Sequence, residues 1–116
     1  MREKMEKRVE FNRLLDFYGA LLTEHRRDIM HAYLEEDLSL QEIADSMSIT
    51  RQGVHDAINK AEKQLMAYEE KLGLLKRYQR LMHAVALCRN EIAGTDHERS
   101  LENIKRILDE IEDIER

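Results

Sequence analysis

The chain has 116 residues with no proline, four glycines and one cysteine. This length predicts one domain, or a small domain with a helical extension. The scarcity of turn residues argues against a β-sandwich or barrel, a single cysteine excludes a disulfide framework, and no apolar run approaches the roughly 18 residues of a membrane span. The N-terminal residues lack the apolar region of a signal peptide. The composition therefore predicts an all-α protein that is soluble and cytoplasmic.

The net charge is −5, from 19 basic and 24 acidic side chains, and it is unevenly distributed. Residues 1–70 hold 10 basic and 15 acidic side chains, residues 71–95 have an excess of four positive charges, and residues 96–116 have an excess of four negative charges. Nucleic-acid affinity comes largely from neutralising phosphates, so strong binders usually carry a basic field. The chain as a whole has no such field, which weighs against a generic nucleic-acid binder.

Apolar side chains at helical spacing predict three helices in the first part of the chain. The first covers about residues 5–22, and Leu21 lies at the end of its apolar stripe. Thr23 has the residue type and position of an N-cap for the second helix. Ser39 and Glu42 have the spacing of a reciprocal capping box, which predicts the start of the third helix.

Three further helices are predicted after residue 50. The fourth has no stop signal before Gly73, and the fifth covers about residues 74–92. Gly94 then follows in the position of a left-handed C-terminal cap, and Thr95 and Glu98 have the spacing of a second capping box. The apolar stripe of the last helix consists of Leu101, Ile104, Ile107, Leu108, Ile111 and Ile114.

The last helix is too short to be stable alone and must pack on the preceding helix or on another subunit. Residues 5–72 and 73–116 therefore form a helical unit and a C-terminal helical hairpin that serves for packing or dimerisation. We predict a homodimer. The candidate interface residues are Leu101, Ile104, Leu108, Ile111 and Ile114.

Residues 39–65 have the pattern of a helix-turn-helix, in which a short and a longer helix are joined by a three- or four-residue turn. Ala44 is small where the helices approach most closely, and Ile49 fills the corner between them. Thr50 is the predicted N-cap of the longer helix. The side chains that bury the longer helix against the shorter one are Val54 and Ile58.

The turn departs from the common pattern at Ser48, where most helix-turn-helix units have glycine. This position tends to need a left-handed backbone, which costs a residue with a side chain about 1 kcal/mol. The pattern as a whole still predicts the fold, although helix-turn-helix units also bind proteins and RNA, so fold alone does not decide function.

The outward face of the longer helix is the candidate nucleic-acid site, because this face enters the major groove in DNA-binding modules. Arginine side chains hydrogen-bond to guanine and glutamine side chains to adenine, which makes Arg51 and Gln52 candidates for reading these bases. The carboxylate of Asp56 would repel phosphates. An ordinary solvated helix face is the alternative. The candidate contact residues are Thr50, Arg51, Gln52, His55, Asn59, Lys60 and Lys63.

The sequence resembles two known families, one within the helix-turn-helix and the other, the YlxM family, over about residues 9–72. LSLQEIA at 38–44 and SITRQGV at 48–54 are similar to region 4 of bacterial sigma factors. The more specific resemblance is to the YlxM family. It is carried by NRLLDFYGALLT at 12–23, EIA at 42–44, RQGVHD at 51–56 and EKQLMAYEEKL at 62–72.

The YlxM resemblance implies a bacterial accessory or regulatory protein of the signal recognition particle pathway, since the family's gene typically neighbours that of the particle's protein. Its implied partner is the particle's RNA, its GTPase, or both. The chain, like the family, lacks most of the arginines of a sigma recognition helix. A sequence-specific DNA-binding regulator and a protein-interaction adaptor remain the alternatives.

Other candidate sites are few. His31 and Glu35 lie one helical turn apart, but two ligands make a weak metal site, and Cys88 lies in an apolar stretch typical of a core residue. We therefore predict no catalytic residue, no metal and no cofactor. A basic cluster is the candidate contact for RNA or an acidic partner, with a solvated helix edge as the alternative. It consists of Lys71, Lys76, Arg77 and Arg80.

Overall fold

A computed structural model describes residues 2–115, and the side chains of residues 2–114. This part of the chain is all-α, as predicted, and forms two compact units, the first ending at Gly73 and the second beginning at Leu74. A short 3-10 helix at Gly19–Leu21 separates the first two helices. The six α-helices are α1 (Arg2–Tyr18), α2 (Glu24–Leu34), α3 (Leu40–Met47), α4 (Arg51–Leu72), α5 (Leu74–Ala93) and α6 (His97–Glu115).

The core of the first unit surrounds α4, which packs against α1, α2 and α3. Burial of apolar side chains is the main favourable contribution to folding, and a fully buried leucine or isoleucine contributes about 1.5–3 kcal/mol. The α3–α4 arrangement is the predicted helix-turn-helix, with the helices of the motif held by this shared core. The largest fully buried side chains are Tyr18, Leu14, Ile29, Met30, Ile43, Leu65 and Val54.

The first helix is shorter at its C-terminal end than predicted. It stops at Tyr18, the chain continues as the 3-10 helix, and the Leu22 backbone N–H donates to the Gly19 carbonyl at 3.1 Å. Because a 3-10 helix turns its side chains differently from an α-helix, Leu21 leaves the apolar stripe and is 52% exposed, whereas Leu22 is buried. The prediction that one helix reaches residue 22 with Leu21 in the core is therefore wrong.

A buried tyrosine connects α1 with the second half of α4. The Tyr18 side chain is fully buried, and its hydroxyl donates to the Glu69 carboxylate at 2.7 Å. Its ring centroid lies 5.9 Å from that of Tyr68, whose hydroxyl donates to the Leu21 carbonyl at 3.3 Å and accepts from the Gln64 amide at 3.0 Å. The buried Tyr18 hydroxyl therefore has the hydrogen-bond partner that a buried polar group requires.

The capping box at the start of α3 is confirmed. The Ser39 hydroxyl accepts from the Glu42 backbone N–H at 3.1 Å, and the Glu42 carboxylate accepts from the Ser39 backbone N–H at 3.0 Å. The pKa of the Glu42 carboxyl is lowered, mainly by the hydrogen bond with the Ser39 backbone N–H and to a smaller extent by the Ser39 hydroxyl. Hydrogen bonds to the charged form of a carboxyl stabilise that form. The box fixes where the first helix of the motif begins.

The turn of the motif also forms as predicted. Ser48 has the left-handed conformation, with φ 56° and ψ 41°, and its backbone N–H donates to the Ala44 carbonyl. Thr50 then caps α4, since its hydroxyl accepts from the Gly53 backbone N–H at 2.9 Å. Thr23 caps α2 in the same way, through the Arg26 backbone N–H.

The second unit is the predicted helical hairpin, in which α5 and α6 pack against each other. The conformation expected at its connection is wrong, because Gly94 does not have the positive φ of a left-handed cap, whereas Gly73 does, with φ 63°. The Gly94 backbone N–H donates instead to the Glu91 carbonyl at 3.1 Å. The same carbonyl accepts from the Ser100 hydroxyl at 2.9 Å, so a side chain of α6 satisfies the end of α5.

The capping box predicted for α6 at Thr95 and Glu98 is also wrong. The helix starts one residue later, at His97, and its cap is Asp96. The Asp96 carboxylate accepts from the Arg99 backbone N–H at 3.1 Å, and its carbonyl accepts from the Ser100 backbone N–H at 3.0 Å. Aspartate and threonine are both good caps, so adjacent candidates shift the predicted boundary by one residue.

Among the described helices, not one combines the length with the apolar character needed to cross a membrane.

Candidate nucleic-acid interface

Helix α4 is anchored in the first unit by one apolar side, which leaves the other side available for contacts. Val54, Ala61 and Leu65 are fully buried and Ile58 is 6% exposed. These residues recur at spacings of three and four, so they share one side of the helix. The polar side chains between them are therefore held on a rigid element, which suits a recognition surface.

All seven residues predicted as nucleic-acid contacts are exposed, and they lie within the cap and the first thirteen residues of α4. Arg51, Gln52 and His55 come together with Leu40 of α3 around a shallow surface depression. The remaining polar residues follow along the helix toward Lys63. The predicted residues spread over the exposed half of α4, since Lys60 follows Arg51 by nine residues, a rotation of about 180° around the helix axis. We call this surface the α4 face, and it consists of Thr50, Arg51, Gln52, His55, Asn59, Lys60 and Lys63.

Hydrogen bonds within α4 engage several of these side chains. The Gln52 amide donates to the Asp56 carboxylate at 3.0 Å, and the Asn59 amide nitrogen lies 3.4 Å from His55 Nδ1. The same His55 nitrogen lies 3.9 Å from the Asp56 carboxylate. A glutamine that reads adenine uses both ends of its amide, so Gln52 must release Asp56 before it can do so.

The sequence pattern indicates Asp56 only as a charge that opposes phosphates, and its hydrogen bond to Gln52 was not predicted. The signal was present, because residues four apart on a helix are neighbours and a Gln–Asp pair at this spacing forms a hydrogen bond. The Gln41 amide and the Asp45 carboxylate of α3 form the same kind of bond, at 2.9 Å. Both pairs are exposed on the helix-turn-helix.

The α4 face has a mixed charge. Arg51, Lys60 and Lys63 are balanced in part by Asp56 and Glu62. Glu62 is half-buried, and burial raises the pKa of its carboxyl, while the nearby Lys7 acts in the opposite direction. The small positive excess limits the affinity that phosphate contacts on this face alone can provide.

The predicted basic cluster lies on two helices, one in each unit. Lys71 is in the last turn of α4, and the other three cations are on α5. Lys76 and Arg80 are one helical turn apart on α5. Arg80 lines a depression of the second unit together with His83, Glu110 and Asp113, so acidic side chains are close to it.

In the apolar stripe of α6 that predicts the dimer interface, some side chains are buried or half-buried and others are exposed. Ile107 is buried, and the candidates Ile104, Ile111 and Ile114 are half-buried. The other two candidates are exposed, Leu101 at 62% and Leu108 at 51%. Helix α5 adds further exposed apolar side chains, which are Met82, Val85 and Ile92.

The two residues of the weak metal candidate lie in contact with each other in the structure. His31 Nδ1 lies 2.9 Å from the Glu35 carboxylate. Within residues 2–115, no group of three or more His, Cys, Asp or Glu side chains is arranged to hold a metal ion. Cys88 is a half-buried free cysteine.

Comparison with known proteins identifies relatives that cover this architecture. A UPF0122 protein of Clostridium botulinum is 49% identical over 76 residues, which span 66% of this chain and 70% of that protein. A UPF0122 protein of Caldanaerobacter subterraneus is 51% identical over 72 residues, 62% of each chain. A UPF0122 protein of Bacillus cereus is 39% identical over 111 residues, 96% of this chain and 99% of that one.

A family model matches residues 5–107, which include the helix-turn-helix and most of the hairpin. Its description is "Putative helix-turn-helix protein, YlxM / p13 like". The match confirms the resemblance drawn from the sequence motifs. This chain therefore belongs to the UPF0122 family of YlxM/p13-like helix-turn-helix proteins.

Proposed function

We propose that this protein is a non-enzymatic regulatory protein that binds nucleic acid through the α4 face. The observation that carries the proposal is the division of α4 into a buried apolar side and an exposed polar side on a helix-turn-helix. Recognition helices of this motif use that exposed side to contact nucleic acid. Arg51, Lys60 and Lys63 would contact phosphates, and Gln52 and Asn59 would supply hydrogen bonds.

The ligand that we propose first is the RNA of the signal recognition particle, with its GTPase as the accompanying protein partner. The YlxM resemblance implies this pathway, and the chemistry of the α4 face is compatible with it. Folded RNA is recognised largely through shape, phosphates and 2′-hydroxyls. A face with few arginines and several amide groups suits such contacts better than an arginine-based reading of base edges.

A DNA-binding regulator is the second candidate, favoured by the placement of Arg51 and Gln52 in the first turn of α4. These residue types at the start of a recognition helix are the ones that read guanine and adenine. The Gln52–Asp56 hydrogen bond and the carboxylate of Asp56 count against tight binding to a duplex.

The experiment that tests the proposal is a set of fluorescence-anisotropy titrations with signal recognition particle RNA, its GTPase and a promoter-containing DNA duplex. Each is measured at two salt concentrations. We expect RNA binding that weakens with salt and falls at least tenfold when Arg51, Lys60 and Lys63 are replaced by alanine together. The matched control is a variant in which Arg99, Lys105 and Arg106 of α6 are replaced by alanine together, which removes the same amount of positive charge.

Each outcome of these titrations decides between the candidates. Binding to duplex alone would overturn the RNA proposal in favour of a DNA-binding regulator. Binding to the GTPase with neither nucleic acid would identify a protein-interaction adaptor and overturn the nucleic-acid proposal altogether. An equal loss of RNA binding in the α6 control would show that net charge, and not the α4 face, determines affinity.

We also propose that two copies associate through the second unit. Leu101 and Leu108 of α6 and Ile92 of α5 are exposed apolar side chains on one hairpin. The hairpin is also electrically polarised, because α5 has four basic and one acidic residue whereas α6 has three basic and seven acidic residues. In a two-fold arrangement, α5 of each copy can face α6 of the other with opposite charge.

A further inference from the structure

A basic notch lies beside α4 in the first unit, outside the residues that the helix-turn-helix pattern singles out. Its volume is about 290 Å³. The N-terminal turns of α1 form one wall, the end of α2 another, and Glu62 of α4 lies inside it. The notch is lined by Lys4, Lys7, Arg8, Phe11, Tyr33, Leu34 and Glu62.

The three cations of the notch have different roles. Arg8 is engaged in the fold, because its guanidinium donates to the Tyr33 carbonyl at 2.8 Å and to the Asp37 carboxylate at 3.0 Å and stacks 4.8 Å from the Tyr33 ring centroid. Lys4 and Lys7 are exposed. Among the described residues, neither lysine forms an ion pair within 4.0 Å. Lys7 Nζ lies 5.8 Å from the Phe11 ring centroid, a cation–π contact that uses none of its hydrogen-bond donors, so both ammonium groups are available to an anion.

The position of Glu62 connects the notch to the α4 face. Glu62 follows Arg51 by eleven residues, which is three helical turns and roughly 20°, so the two residues lie on nearly the same side of α4. The distance along the helix axis is about 16 Å. A nucleic acid that contacts Arg51 and His55 and extends along this side of α4 reaches the notch.

The scale of this separation fits a phosphate backbone. A nucleic-acid backbone carries a phosphate at every nucleotide, so a ligand that lies along about 16 Å of α4 presents several phosphates, and one of them can reach the notch. We propose that the notch takes a phosphate group of the bound nucleic acid, held by Lys4 and Lys7, so that α1 contributes to the interface. This inference rests on the proposed function of the α4 face.

Glu62 is the residue that limits this contact. Its half-buried carboxylate lies in the same notch as the two lysines and repels a phosphate, which weakens the attraction they exert. Lys4 and Lys7 would act as positioning residues, because a phosphate contact fixes orientation and carries no sequence information. Glu62 would set how strongly the notch binds.

The test is the salt dependence of binding to signal recognition particle RNA and to the DNA duplex. In the Lys4→Ala/Lys7→Ala variant we expect the slope of log affinity against log salt to become less steep by about 1–2, equally for all sequences tested. Lys105→Ala/Arg106→Ala removes the same charge from α6 and should leave the slope closer to that of the wild type. Glu62→Gln should raise the affinity several-fold.

The outcomes separate this inference from the proposal on which it rests. If the α4-face variants weaken binding while the Lys4/Lys7 variant matches its α6 control in affinity and slope, the notch is not part of the interface and only this inference fails. If the wild-type protein binds neither RNA nor duplex, the proposed function fails first. Circular dichroism of each variant verifies that the helices are retained, and an unchanged affinity in a folded Glu62→Gln variant contradicts the notch contact.

Discussion

Among residues 2–115, two residues with side chains have a left-handed backbone, and both follow helices of the first unit. Asp37 has φ 55° and Ser48 has φ 56°. Aspartate is one of the residues that tolerates this region, and the Asp37 carboxylate also accepts a hydrogen bond from Arg8. Ser48 is less suited to the conformation, so the turn of the helix-turn-helix carries a local energetic cost.

Replacing Ser48 with glycine should therefore stabilise the protein. Left-handed backbone costs a residue with a side chain about 1–2 kcal/mol, and part of the gain is lost because glycine has more freedom in the unfolded chain. We expect Ser48→Gly to raise the free energy of unfolding by about 1 kcal/mol, measured by urea denaturation. Ser46→Gly is the matched control and should lower it by about 0.5 kcal/mol, because residue 46 is helical. A destabilised Ser48→Gly variant would show that the serine side chain makes a compensating contact.

At the scale of elements, caps determine where the helices begin. Thr23, Ser39 and Thr50 each accept a hydrogen bond from a backbone N–H at the start of a helix. Asp96 does the same for α6. These bonds satisfy donors that a helix leaves without partners in its first turn, and they fix the bounds of the two helices in the motif.

The cap of α6 can be tested by comparing neighbouring residues. We expect Asp96→Ala to lower stability by about 1 kcal/mol, because the Arg99 backbone N–H loses its acceptor. Thr95→Ala should have an effect within about 0.5 kcal/mol, as for ordinary surface substitutions. Thermal unfolding and amide hydrogen exchange of the first turn of α6 measure the difference. Equal losses in the two variants would contradict the assignment of Asp96 as the cap.

The elements that the sequence predicts best are those in which several signals agree. In the helix-turn-helix, the Ser39 box, the Thr50 cap and the buried positions at Val54 and Ile58 point to the same boundaries, and the structure has them. Around residues 19–22 and 94–97 the signals compete. Two adjacent capping residues at Thr95 and Asp96 allow two starts for α6, and periodicity cannot distinguish the end of an α-helix from a following 3-10 turn.

The candidate site is predictable only in part, because it combines local and distant residues. The exposure of the α4 face follows from helical periodicity within one segment. The notch depends on α1 lying beside α4, which brings residues more than fifty positions apart in the sequence, such as Lys7 and Glu62, to the same depression. No local pattern identifies that proximity, so the notch becomes visible only in the folded unit.

At the scale of the whole molecule, the proposed association of two copies predicts a change in mass. Static light scattering at micromolar concentration should give twice the monomer mass of 13.8 kDa. Leu101→Glu/Leu108→Glu should return the protein to a monomer, because charges would replace exposed apolar side chains within a surface already rich in acidic residues. Met5→Glu changes an exposed apolar side chain of the first unit and is the control. A wild-type monomer would contradict the proposal.

The hydrogen bond between the buried Tyr18 and the half-buried Glu69 gives the first unit a spectroscopic signal of its own. The chain has four tyrosines and no tryptophan, so tyrosine emission is not masked by energy transfer to an indole. A carboxylate that accepts a hydrogen bond from a phenol quenches this emission, and the Tyr18 hydroxyl donates to the Glu69 carboxylate at 2.7 Å. Emission at tyrosine wavelengths should therefore brighten when the first unit unfolds, which provides a label-free readout of that unit.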